Sequence, residues 1–201
     1  MEKYGKSIEI FKSNHGVMRT SQAIKAGIAP KTLYAMLDSG VIIRLTRGMY
    51  ALADHTPISN PDLVTVAMKY PVAVFCLITA LNYYNLTEQI PHFVNIALPQ
   101  GTRKPQIIYP PLQIIWLSEK TYQAGIQEVI INDTTLMIYS PEKTITDCFK
   151  FRNKYGLDVA IDALRRYLAQ PAEKQDMRNL VQYARFNRVE KIITPYLEAL
   201  L

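Results

Sequence analysis

Cysteine, histidine and tryptophan are scarce in this sequence, and each scarcity closes a route. Two cysteines, Cys76 and Cys148, are too few for a disulfide scaffold and lack the paired spacing of a zinc site. Set in apolar surroundings, they read as small core residues of a protein in a reducing compartment. His15, His55 and His92 are scattered singly and make poor metal ligands. The single tryptophan, Trp116, has apolar neighbours and is expected in the core. Long hydrophobic runs are missing too: the longest, Pro71 to Leu81, is too short to span a bilayer. No charged-then-apolar leader opens the chain, so a cytoplasmic location and no membrane partner are expected. Gly101-Thr102-Arg103-Lys104 is a basic turn without the spacing of a phosphate loop, and there is no Gly-x-Ser-x-Gly elbow. No internal repeat or low-complexity tract is present. Neither a cofactor, a metal nor a catalytic residue is expected.

What is present is the mix of an ordinary globular protein. Of 201 residues 49% are hydrophobic and 20% charged, enough to build a real core in one large domain or a small and a larger one. The net charge of +6 is compatible with a polyanionic partner. Its distribution says more. Residues 1–55 hold eight Lys/Arg against four Asp/Glu, and the remainder fifteen against thirteen. A basic module leads and a nearly balanced one follows.

The leading module is organised by Arg19 to Tyr50. Thr20 is an N-cap type, Ala23 and Ile24 give a first helix its apolar inner face, and Gly27 suits a tight turn. Pro30 fits the first turn of a second helix, in which Leu33, Met36 and Leu37 recur as a buried stripe. Gly40 ends that helix. Val41 to Arg47, the turn at Gly48 and Met49 to Leu52 form a hairpin. Two crossed helices and a hairpin read as a winged helix-turn-helix. Lys31, Thr32, Tyr34, Ala35 and Asp38 then fall on the outer face of the second helix, which fits a DNA major groove. Lys31 suits a phosphate or guanine, Thr32 and Ala35 a thymine methyl, and Tyr34 a phosphate. Arg44 and Arg47 on the wing, with Arg19 and Lys25 by the first helix, would hold the backbone and set register. The expected DNA-binding residues are therefore Arg19, Lys25, Lys31, Thr32, Tyr34, Ala35, Arg44 and Arg47.

A helix over Lys3 to Asn14, with Ile8 and Phe11 on one face, braces this pair. Ala53 to Pro61, polar and carrying Pro57 and Pro61, is the best linker, which places a DNA-binding domain at 1–55 and a second domain at 56–201. In the second, Pro61 to Lys69 reads as a helix, Val72 to Leu77 as a buried strand and Thr79 to Asn85 as a helix. Phe93–Leu98, Leu112–Leu117, Val129–Asn132 and Thr135–Tyr139 are further strands. Ser140, Pro141 and Glu142 open a helix with Ile145, Cys148 and Phe149 as its stripe, and three more helices follow. The fold class is α+β: a winged helix-turn-helix, then a small sheet covered by C-terminal helices.

The order of motifs resembles a known family. Gly40-Val41-Ile42-Ile43-Arg44 and Arg47-Gly48-Met49-Tyr50 are similar to the N-terminus of AbiEi-type antitoxins of type IV toxin–antitoxin systems. So are Thr79-Ala80-Leu81 with Asn85-Leu86-Thr87-Glu88-Gln89-Ile90-Pro91, and Tyr139 to Arg152 continuing to Gly156 and Ala163-Leu164-Arg165. The resemblance covers most of residues 5–170. It implies a bacterial repressor of its own operon, bound to double-stranded operator DNA. Its second domain would counter a nucleotidyltransferase-like toxin, with or without a stable complex. The tail after Pro171 matches no pattern. Two copies on an inverted repeat would set two recognition helices one or more DNA turns apart.

An alternative is a metal-dependent nucleic-acid-processing enzyme with a winged targeting domain. Its carboxylates would be Asp133, Glu142 and Asp147 beside Lys143. Glu142 and Asp147 lie about 140° apart around one helix, however, and Glu142 is explained by the helix start. Lys143, Asp147, Lys150 and Arg152, with Lys154, form a candidate functional surface of the second domain. The bland reading of that cluster is a solvated face laced by an i, i+4 pair. Arg103 and Lys104 read as exposed charge.

Overall fold

The computed structural model describes residues 4–14, 16–53, 60–132 and 134–200. The chain forms two compact units. One holds residues 1–69 with 130–135, and the other 70–129 with 136–201. The boundary expected at 55/56 falls within 54–59, outside the described residues, as do His15, His55 and Asp133.

In the first unit α1 (Gly5–Ser13) leads to β1 (Val17–Arg19), α2 (Thr20–Lys25), α3 (Pro30–Asp38), β2 (Ile42–Thr46), β3 (Met49–Leu52) and α4 (Pro61–Lys69). Both crossed helices stop for the same reason. Gly27 and Gly40 hold positive φ. The Gly27 and Ile28 amides donate to Ile24 and Ala23 carbonyls, and those of Gly40 and Val41 donate to Leu37 and Met36 carbonyls. Each is a Schellman end, which satisfies the last carbonyls of its helix. Pro30 occupies the first helical position. Phe11, Ala23, Ile28, Leu33, Met36, Ile42 and Tyr50 close over one core. The hairpin β2–β3 is antiparallel, irregular between Arg44 and Thr46, and gains a third antiparallel strand in β1, giving the order β1-β3-β2. Thr20 is not the cap of α2. It is the first helical residue, Arg19 takes the cap position, and the Arg19 amide donates to Gln22 Oε1 at 2.9 Å.

The second unit is built around β4 (Val74–Phe75), β5 (Val94–Pro99), β6 (Leu112–Leu117) and most of β7 (Ile126–Ile131) and β8 (Thr134–Tyr139), in the order β6-β5-β4-β8-β7. The pairs β4–β8 and β5–β6 are parallel, and β4–β5 is antiparallel. Interior strand β5 is buried along nearly its whole length, its apolar run broken only by the buried Asn95. The strand expected over 72–77 keeps only two residues. Val72 is exposed, and after the Cys76 amide donates to the Asn95 carbonyl the chain leaves the ladder and enters α5 (Leu77–Tyr83). Trp116 is not core. It lies on the outward side of edge strand β6, 43% exposed, its Nε1 donating to the Thr102 carbonyl.

Two short helices, α6 (Glu119–Gln123) and α8 (Arg152–Tyr155), lie beyond the expected set. The long helices are α7 (Pro141–Lys150), α9 (Leu157–Leu168), α10 (Met177–Phe186) and α11 (Glu190–Leu200). Their apolar faces supply Ile145, Phe149, Leu164, Leu180 and Ile193 to the core. No helix among the described residues is long and apolar enough to cross a membrane.

Candidate nucleic-acid interface

Helix α3 separates its two faces cleanly. Leu33 and Met36 are fully buried, whereas Lys31 and Asp38 are exposed and Tyr34 is 53% exposed. Thr32 and Ala35 are half-buried at the margin of the outer face. That outer face carries a cation and a phenol near the helix start, where residues meet base edges when a helix enters the major groove. Lys25 is exposed at the end of α2, Arg44 on β2 and Arg47 at the wing turn. The turn itself is held in place: the Thr20 amide donates to the Gly48 carbonyl at 3.0 Å, and Gly48 has φ +76°. A Cβ at Gly48 would lie 3.7 Å from Thr20 Oγ1, so the wing tip sits against the start of α2.

Arg19 stands apart from the other expected contacts. It is half-buried, and its Nη2 is enclosed with no hydrogen-bond acceptor among the described residues. Nearby Lys69 donates to Thr46 Oγ1 at 3.2 Å. Burial, then the Arg19 charge, pushes the Lys69 ammonium below its ordinary range. Arg19 therefore has part of its guanidinium enclosed by the protein and is less open than Lys25, Arg44 and Arg47.

The second-unit cluster is corrected more sharply. Lys143 and Asp147 are not a surface: both side chains are wholly buried and form an ion pair at 2.5 Å. The Lys143 ammonium also sits 4.4 Å from the Tyr139 ring centre. Asn187 Nδ2 donates to the second Asp147 oxygen at 2.8 Å and to Thr146 Oγ1 at 3.0 Å. The close approach that encloses Lys143 needs Gly125, where a Cβ would fall 2.8 Å from Lys143 Cβ. A buried charge persists only when paired and hydrogen-bonded, and this one is both. Burial, then the Asp147 charge, pushes the Cys76 and Cys148 thiols up, in keeping with their core role. Lys150 is half-buried and donates to Asn187 Oδ1 at 3.4 Å, while Arg152 donates to the Phe149 carbonyl.

Glu142 has a second duty beside the helix start. It is buried and accepts from Tyr167 Oη at 2.6 Å, and Tyr167 Oη in turn accepts from the Asp176 amide. The two carboxylates of α7 are thus held by different protein donors. Among the described residues no group of three His, Cys, Asp or Glu is placed to hold a metal.

The other motif residues are architectural. The Thr79 hydroxyl accepts from the Asn95 amide, Asn85 carries positive φ, Leu86 is fully buried, and Glu88 pairs with Arg166. Sequence reasoning missed Gly125, Tyr167 and Asn187. Only the Ala-Gly turn at 124–125 offered a local signal.

A three-stranded sheet flanking two helices, the second with an exposed face that bears Lys31 and Tyr34, defines a winged helix-turn-helix, here followed by an α+β unit. Residues 6–53 match the family described as transcriptional regulator, AbiEi antitoxin. The resemblance read from the sequence is thus matched over residues 6–53. No curated protein sequence matches the chain. Among solved structures, the Rv2827c protein of Mycobacterium tuberculosis is similar in fold, with a TM-score of 0.59 and 14% identity. That likeness covers 90% of this chain and 71% of the other.

Proposed function

We propose that the chain is a sequence-specific transcriptional autorepressor and the antitoxin of a toxin–antitoxin operon. In this reading residues 1–55 bind double-stranded operator DNA. Residues 56–201 counter a nucleotidyltransferase-like toxin encoded alongside, and the protein works in the cytoplasm. The observation that carries the DNA reading is the division of α3, which buries Leu33 and Met36 and presents Lys31 and Tyr34 beside the arginine-bearing wing. Lys31 and Tyr34, with Thr32 and Ala35 at the margin, would meet the groove. Lys25, Arg44 and Arg47 would hold phosphates. Non-catalytic action suits this arrangement, since the carboxylates of α7 are engaged within the protein.

The test is a gel shift on the DNA upstream of the gene, with Lys31→Ala and Arg47→Ala. Each is expected to weaken binding about tenfold, the scale of one lost charge-assisted contact, with an unchanged circular dichroism spectrum. Wild-type affinity in both variants would remove the proposed surface. Rescue of growth on co-expression with the adjacent toxin gene tests the antitoxin half separately.

A further inference from the structure

One cleft of the second unit is left unused by the DNA reading. It is open, about 500 Å³ in volume, and lies where α6 and the end of α10 meet Lys150 of α7. That volume is within the range of small-molecule sites. Lys120, Lys150 and Arg188 line it, with the Ser118 and Thr121 hydroxyls, and no carboxylate is among its lining residues. Three cations therefore line one concavity, and the carboxylate that Lys150 feels, Asp147, is buried behind Asn187 and already paired with Lys143.

Each cation is set in place. Lys150 is half-buried and directed by Asn187, whose amide is itself fixed from behind by Asp147 and Thr146. Burial is the main reason the Lys150 ammonium lies below its ordinary range; the Asp147 charge offsets part of this, and the Lys143 and Arg188 charges add to it. Lys120 lies 5.6 Å from the centre of the Phe186 ring.

Arg188 is the most telling. Helix α10 closes with the same pair of bonds as α2 and α3: the Arg188 amide to the Arg185 carbonyl, and that of Val189 to the Ala184 carbonyl. At that left-handed position α2 and α3 use glycine and α5 uses Asn85, but α10 carries arginine at φ +59°. A long side chain there is held against the backbone preference of every residue but glycine and asparagine. A guanidinium on the cleft wall gives that residue a use.

We propose that this cleft binds the polyphosphate group of a small molecule, such as the di- or triphosphate of a nucleotide or a free short-chain polyphosphate. Three converging cations match the charge of such a chain, and the paired hydroxyls of Ser118 and Thr121, 3.0 Å apart, add donors. An anion bound there would also relieve the burial of the Lys150 charge.

The test uses calorimetric titration of the full chain with sodium tripolyphosphate, ATP and adenosine. Tripolyphosphate and ATP should bind, and adenosine should not. Arg188→Gly places glycine where the backbone favours it, so this variant should keep the wild-type melting temperature, as should Lys120→Gln at an exposed site. The double variant should bind tripolyphosphate at least tenfold more weakly and retain operator affinity. Equal affinity of ATP and tripolyphosphate would assign the site to the phosphate chain, and tighter ATP would add a nucleoside contact. Unchanged affinity in the double variant, or no binding at millimolar tripolyphosphate, overturns the proposal. So does loss of tripolyphosphate binding in Lys31→Ala/Arg47→Ala instead, which would move it to the wing. None of these three results bears on operator binding, so the repressor reading fails or stands separately.

Discussion

Asp147 shows how much one residue can hold. It neutralises a fully buried ammonium on one side and takes an amide hydrogen from Asn187 on the other. Removing one partner of such a pair leaves an uncompensated buried charge, which costs about 3–5 kcal/mol. Asp147→Ala should lower the urea-unfolding free energy by that amount. Replacing both members, as in Lys143→Met/Asp147→Leu, should recover most of it, because no charge is then left inside. A double variant as unstable as the single would mean that Asn187 and Tyr139, and not the ion pair, set the energy. The i, i+4 spacing of Lys143 and Asp147 is equally at home on a wet face or in a core. What decides is Gly125 and Asn187, one preceding the helix and one far beyond it, and neither is visible from the helix itself.

Elements are legible where their ends are written locally. Pro30 starts α3, Gly27 and Gly40 terminate α2 and α3, and Ser140 starts α7 by accepting from the Lys143 amide. Ser140→Ala should therefore cost about 1 kcal/mol, the ordinary value of a lost N-cap, read as a shift in urea midpoint at constant slope. No shift would mean that the cap bond at 3.3 Å contributes nothing. Strand β1 could not be read in the same way. Three residues long, it exists because β3 offers it an edge, and β3 is distant in sequence. Trp116 illustrates the converse: apolar neighbours along an edge strand do not say which side of the sheet a residue faces.

At the scale of the whole molecule, charge and chemistry are divided between the units. The first carries Lys25, Lys31, Arg44 and Arg47 exposed around the recognition helix and wing. If Lys25, Arg44 and Arg47 meet phosphates, operator affinity should fall with salt at a log–log slope of about −2.7 per protomer, close to 0.9 for each contact. Filter binding from low to moderate salt measures it, and a slope near zero would exclude phosphate contacts by this face. Two protomers on an inverted repeat should double the slope. In the second unit Glu142, Lys143 and Asp147 of α7 are turned inward, while Lys150 lines an open basic cleft.

The Tyr167 hydroxyl links three stretches: it donates to Glu142, and the Asp176 amide donates to it. Together with Asn187 at Asp147, it makes the final quarter of the polypeptide an internal counterpart of α7. Truncation before residue 176 would remove the amide that donates to Tyr167 Oη and the Asn187 amide that donates to Asp147. Recombinant fragments trimmed at the apparent end of the recognisable motifs, near residue 170, should consequently emerge insoluble, whereas those that retain α10 and α11 should not.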